Sequence, residues 1–295
     1  MQSKENSLKL AYFAIHLAAL FFGLAGIFGY LISASAEFIT MARALFAVLV
    51  LFLISKVTRS GIIPTTLFKN IQSCIFLIGA VLFLALHWFS FFIAVKKGGV
   101  ALATLGFASF PAFTMVIEFL LRQEIIQKHD ILAITAITLG LILVNPSLAF
   151  HTEASIGLFW GIISGFSFAL FTTTNKQLSL HAAPLQIALW QNLGVVVLML
   201  PWSILQIPTT AIINWFWAAL LGIFCTAFAH YLIIYSLQSL KARHAGIVIA
   251  LEPVYAIIFA AILFQQYPSL RIIIGATIII GTIIWNQNKQ QNNAA

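Results

Sequence analysis

Charge is what this sequence has least of. Only 7% of its 295 residues are Asp, Glu, Lys or Arg, against about 25% in an ordinary soluble domain. A chain so short of charge cannot coat a water-facing surface, which excludes a soluble globular enzyme and makes lipid the expected solvent. The scarcer sign is negative: seven acidic residues face 15 basic ones. Cysteine is reduced to Cys74 and Cys225, both inside apolar stretches, so no disulfide framework is expected. No G-x-x-x-x-G-K-[ST] loop and no H-E-x-x-H occur, and no two histidines stand three or four residues apart. Direct use of ATP, a metal site and a bound cofactor are therefore not expected. The net charge of +8 raises nucleic acid as a partner. The basic residues are scattered, however, with no patch interleaved with aromatics, so that partner is excluded too.

What the chain has instead is 62% hydrophobic residues, 27 Phe and 7 Trp, with mean hydropathy +1.05. Stretches such as Leu45 to Ile54 are apolar on every face, unlike the alternating strands of a membrane barrel. The fold class is thus an all-α membrane protein. Apolar runs broken by polar, Gly or Pro punctuation predict ten spans: 10–32, 38–55, 71–95, 99–121, 129–146, 156–176, 184–204, 213–237, 243–264 and 270–286. The first run exceeds a signal-peptide core, lacks an A-x-A site and is followed by more spans, so it reads as a retained helix. The Asn/Gln-rich residues 288–295 read as a disordered cytoplasmic tail. With the N-terminus inside and ten crossings, eleven basic residues fall in cytoplasmic segments and three (Lys96, Lys97, Arg271) on the opposite side, while Arg43 lies within a span. That bias predicts both termini in the cytoplasm.

The two halves are alike. At a constant offset of 142, Ala103/Ala245, Ala108/Ala250, Pro111/Pro253, Leu121/Leu263 and Gln123/Gln265 coincide. Five spans per half is an odd number, so the second copy must lie upside down, the inverted-repeat plan of many secondary transporters. Both halves share small residues, a mid-helix Pro, a Gln-Glu or Gln-Gln exit and a Gly-containing apolar helix (Gly140; Gly275 and Gly281). On these features, with Arg43 in the second span, the chain resembles the EamA-type members of the drug/metabolite transporter superfamily over nearly its whole length. The resemblance implies two inverted five-helix repeats, 1–147 and 155–287, around a central cavity lined chiefly by spans 1, 3, 4, 6, 8 and 9. It implies a small-molecule substrate, a lipid bilayer as host and the cell inner membrane as location. Family members often carry Glu at both repeat exits; here Glu124 stands opposite Gln266, so the pair is incomplete.

Ionisable groups at membrane depth cost about 2.5–3.5 kcal/mol each and mark function. Glu252 is predicted near the midplane of the ninth span, where Pro253 opens the backbone ladder and leaves carbonyls free beside a carboxylate. That pairing suits a cation, an ammonium group or a proton; the bland alternative is a protonated Glu bonded to a neighbouring helix. Glu118 stands four residues before Arg122, the spacing of a local ion pair. Arg43 could hold a substrate carboxylate with its planar fork, pair with Glu37 or snorkel. His87 and His230 occupy nearly matching places in the two halves and could relay protons beside Glu252, or be satisfied core histidines. His16 and His244 merit less. Trp88, Phe110, Trp190, Tyr231 and Tyr255 could line a cavity and hold an ammonium by cation–π attraction, or simply pack. Gln191 and Asn192 read as cavity lining or interhelical glue, and Thr172 to Asn175 as a cavity mouth or as side chains bonding back to their own helix carbonyls. Gly23, Gly26, Gly29, Gly161 and Gly165 read as close-packing sites.

These readings predict a secondary transporter of small metabolites, amino acids or related amines, working by alternating access as a monomer or homodimer. Transport would be proton-coupled or facilitated, and directed outward. The other classes considered are a non-transporting membrane scaffold or chaperone, which predicts no central cavity, and a lipid-modifying enzyme, for which the loops are too short.

Overall fold

The computed structural model describes residues 2–121, 125–145, 152–178, 181–237, 248–249 and 251–293. Each predicted apolar run carries helix: α1 (Gln2–Leu31), α2 (Ala36–Val57), a single turn α3 (Thr65–Phe68), α4 (Ile71–Phe107), α5 (Phe110–Leu120), α6 (Lys128–Val144), α7 (Glu153–Leu178), α8 (Pro184–Ser203) and α9 (Ile212–Gly222). A π-helical stretch, Ile223–Phe228, links α9 to α10 (Ala229–Leu237); α11 (Glu252–Phe264) and α12 (Leu270–Asn293) complete the chain. Among the described residues six helices are long and apolar enough to cross a membrane, and Phe110–Leu120, Glu252–Phe264 and Leu270–Asn286 are shorter apolar helices. Leu53, Ile75, Leu139, Phe159 and Val197 are exposed. In water such a surface would aggregate; in lipid it costs nothing.

Local chemistry sets the helix ends. The Ser35 hydroxyl accepts the Phe38 N–H at the start of α2, and the Asn70 side chain accepts the Gln72 N–H at the start of α4. The Gln127 N–H donates to the Asp130 carboxylate at the start of α6.

Four boundaries differ from the sequence expectation. The predicted break after residue 95 is a kink, not an end: α4 runs on to Phe107, and Gly99 sits inside it at φ 77°. Glycine takes that conformation without a Cβ clash. The predicted fourth span is interrupted instead at Ala108–Ser109, just before Pro111. The ninth is interrupted too, since α11 begins only at Glu252 and Pro253 stands in its first turn. Neither proline therefore breaks a continuous ladder. Each sits where a helical N–H has no partner anyway and its fixed φ favours starting a helix. Residues 243–247 of the predicted ninth span, with Arg243 and His244, lie outside the described residues, as do Arg122 and Glu124. Finally, α12 continues to Asn293 over the predicted disordered tail. Once a helix is nucleated, extension needs no new nucleus, and Gln and Lys are good helix formers.

Helix α4 packs most extensively on α7, α2 on α8, and α6 on α12; α1 packs on α10 and α11, and α5 on α7. The α4–α7 contact is backbone on backbone: a Cβ on Gly157 would lie 2.4 Å from the Gly98 Cα, and one on Gly106 would lie 2.9 Å from the Gly161 backbone. At one end of the bundle, polar groups tie α1, α2, α4, α7 and the α8–α9 connection together. Lys96 Nζ donates to Ile32 O (2.7 Å), the Ser33 N–H to Asn214 Oδ1 (2.9 Å) and Gln206 Nε2 to Ser35 Oγ (2.9 Å). Lys97 pairs with Glu153 at 3.0 Å.

Candidate functional site: the central cavity

The two interrupted helices meet a common space. Helix α1 passes close to the start of α11, because a Cβ on Gly23 would lie 2.8 Å from Tyr255 Cβ. Helix α7 passes equally close to the start of α5, because a Cβ on Gly165 would lie 2.6 Å from Ser109 Oγ and 3.2 Å from the Phe110 N. Gly23 and Gly165 are 142 positions apart, as are Pro111 and Pro253. The same offset pairs Phe110 with Glu252. Between these elements lies a cavity of about 370 Å³.

Its polar wall begins at Arg43. Gly222 lets α2 approach so closely that an added Cβ would meet Arg43 O at 2.5 Å. The π-helical turns follow at once, and the Thr226 hydroxyl donates to Leu221 O, five residues back. Thr226 Oγ1 then accepts two bonds from Arg43, from Nε at 3.1 Å and from Nη2 at 2.9 Å; Nη2 also reaches Cys225 O at 3.5 Å. The guanidinium lies 4.1 Å from the centre of the Trp88 ring and 5.5 Å from that of Phe92. Arg43 is thus buried without a salt bridge to Glu37 or any other acid among the described residues, and Nη1 is not engaged by them. Uncommitted N–H groups on a buried guanidinium are a strong ligand handle.

Glu252 lines the same cavity from the first turn of α11. It is 8% exposed, and its carboxylate accepts no hydrogen bond from the described residues. A helix start carries partial positive charge and favours a carboxylate there. Arg43 adds coulombic attraction.

His87 faces the cavity from α4. Ser164 Oγ donates to His87 O at 3.1 Å, so at 2.7 Å it accepts from His87 Nδ1. This network assigns the Nδ1–H tautomer and leaves Nε2 as an acceptor. The remaining wall is apolar, with Phe22, Phe91, Phe107, Phe110, Phe168 and Phe171 interspersed with aliphatic side chains such as Leu84 and Ile283. Phe107 stacks on Phe110 at 5.3 Å and meets Phe168 edge-on at 5.2 Å.

Of the residues singled out from the sequence, Arg43, His87, Trp88, Phe110 and Glu252 come together here, and Thr172 joins them. The others lie elsewhere. Trp190 donates from Nε1 to Ile62 O at 2.9 Å and meets Phe68, pinning the connection after α2. Gln191 bonds Asn175 at 2.7 Å, tying α8 to α7, and Asn192 donates to Ala188 O within its own helix. Tyr231 is 52% exposed beside Phe228. Tyr255 reaches His16 at 3.3 Å. The side chain of His230 lies outside the described residues. The sequence reading missed Phe22, Phe91, Phe107, Phe168, Phe171 and Thr226. Phe107/Phe110 and Phe168/Phe171 carried a helical i, i+3 signal, but in a chain that is 14% aromatic the signal is drowned.

Fold and cavity together define a multi-pass helical membrane protein that encloses a solute-sized pocket between broken helices. Models of the EamA-like transporter family match residues 9–145 and again 155–286, and the chain belongs to that family: it is a membrane transporter. An uncharacterized transporter of Archaeoglobus fulgidus is 26% identical over 209 residues, covering 70% of this chain and 74% of that one. The uncharacterized inner membrane transporter YicL of Salmonella typhimurium is 26% identical over 264 residues, 85% of this chain and 84% of its own. A solved crystal structure aligns over 99% of both chains at TM-score 0.65 and 14% identity, a likeness of fold. These relatives are named as transporters, not as enzymes.

Proposed function

We propose that this chain is a secondary transporter that carries amino acids or related amines outward across the cell inner membrane by alternating access, either coupled to protons or down the substrate gradient. The observation that carries the reading is the pairing on one aromatic-rich cavity of about 370 Å³ of Glu252, a carboxylate that the described residues leave uncommitted, with Arg43, a guanidinium on which they leave one fork nitrogen free. A zwitterionic head group needs an acceptor for its ammonium and a forked donor for its carboxylate; the phenylalanine faces suit the ammonium and an apolar side chain alike. A plain amine would use Glu252 and the aromatics alone.

The mechanism rests on two five-helix repeats, 1–147 and 155–287, in opposite orientation. Exchanging α1 with α7, α2 with α8, α4 with α9–α10, α5 with α11 and α6 with α12 maps the α4–α7 packing onto that of α1 with α9–α10 and the α1–α11 packing onto that of α5 with α7, while the contacts of α4 with α1, α2 and α11 have no counterpart of like extent among the described residues. The matched Gly23/Gly165 and Pro111/Pro253 support the same exchange. Rocking of one repeat against the other would then open the cavity to each side in turn.

Reconstitution into liposomes, with a labelled panel of amino acids and primary amines and with or without a pH gradient, tests the proposal. Uptake of a subset is expected. Glu252→Gln should lower that uptake at least tenfold and remove any response to the gradient, while the protein stays monodisperse. Failure of every compound under every gradient would sink the transport reading, and an unaltered gradient response in Glu252→Gln would remove Glu252 from coupling.

A further inference from the structure

A second, smaller cavity of about 190 Å³ lies between α5, α6 and α12. It shares two wall residues with the central cavity, Phe110 and Ile283, so the two spaces are neighbours across that pair. Its polar lining is Thr114, Glu118 and Asn286. Thr114 and Glu118 are four apart on α5 and so share a helix face.

Every one of these groups offers an acceptor. The Thr114 hydroxyl proton is spent on Phe110 O at 2.9 Å, which leaves an oxygen lone pair. The Asn286 amide is oriented by its own donors: Nδ2 donates to Asp130 Oδ1 at 3.2 Å and to His129 O at 3.4 Å. Turning the amide over would set oxygen against oxygen, so Oδ1 is the end left to accept. Glu118 adds a carboxylate, which has acceptor sites for several donors whatever else it holds. The Met115 sulfur completes a lining that, among the described residues, has no free donor. A cavity of acceptors excludes anions and carbonyl compounds, and fits a group that has only N–H donors and a positive charge.

We propose that this smaller cavity is a second site for the ammonium group of a small primary amine, in series with the central cavity across the Phe110–Ile283 partition. The inference rests on the reading of the protein as an amine transporter. A ligand would give up contact with Glu252, pass the Phe110 ring and meet Thr114, Glu118 and Asn286 beyond it. The smaller volume admits the head group and a short chain, so bulky substrates would bind only in the central cavity.

Equilibrium binding of radiolabelled n-propylamine to the purified full-length chain tests this. Wild type should bind two equivalents and Glu252→Gln one. Thr114→Val and Glu118→Gln should each weaken one of the two equivalents at least tenfold and slow propylamine transport while sparing the affinity of the other. Thr114→Val keeps the side-chain shape, so it answers for Glu118→Gln should that variant misfold. No binding to wild type in any form overturns both this site and the amine reading. One equivalent in wild type, abolished by Glu252→Gln, overturns the second site alone, as do two equivalents that survive both α5 variants. Loss of one equivalent with transport at the wild-type rate overturns the placement in series.

Discussion

Arg43 illustrates how little a residue type alone decides. From the sequence it could serve a ligand, pair with Glu37 or snorkel. In the structure its fork is half spent on Thr226 and its face is covered by Trp88. The missing signal was Thr226, 183 positions away and brought near only by the π-helical turns. Hydrogen bonds to a buried charge contribute about 1.5–3 kcal/mol. Thr226→Val should therefore lower stability by about that amount, whereas Tyr231→Phe, on an exposed ring, should change it by less than about 0.5 kcal/mol. Heating the purified protein in detergent and following the surviving monodisperse fraction separates the two. Arg43→Lys keeps the charge but not the two-pronged bond, so it should resemble Thr226→Val in stability more than wild type.

At the scale of helices, the apolar runs were plainly legible, and so was the punctuation around them. What could not be read was which interruptions end a helix and which only bend it. Gly98–Gly99 looked like a loop and proved to be a kink, while Pro111 and Pro253 looked like mid-helix breaks and proved to be starts. Backbone hydrogen bonding decides such cases, and it depends on neighbours a one-dimensional reading does not see. The glycines divide in the same way. Gly157 meets Gly98 backbone, so Gly157→Ala must push α7 off α4, and a loss of about 2 kcal/mol or more in stability is expected from overpacking. Gly281 has nothing within 4 Å of an added Cβ. Gly281→Ala should be neutral, or stabilising by up to about 1 kcal/mol from helix propensity. Parallel melts of the two variants check the contrast.

For the molecule as a whole, composition and basic-residue bias gave a definite expectation: both termini on one side, and that side cytoplasmic. Fusion of green fluorescent protein or alkaline phosphatase to the C-terminus checks it. The fluorescent fusion should glow and the phosphatase fusion should stay inactive; an active phosphatase would reverse the orientation. The central cavity was legible only in outline, through one acid, one guanidinium and one histidine. Of its aromatic lining only Trp88 and Phe110 were singled out, because in a lipid-soluble chain an aromatic ring carries almost no positional information.

The pairing of Phe110 with Glu252 reaches further than either side chain. In two identical halves turned upside down, the conformations open to either side would be mirror states of equal energy, and the protein would dwell in each for the same time. Here one helix start carries an acid and its twin a hydrocarbon ring. In the alternating-access cycle proposed above, the empty molecule would therefore rest unevenly between its two openings, and a bound cation that neutralises the acid would shift that balance. The mismatched pair would thus act as a built-in bias on the proposed working cycle.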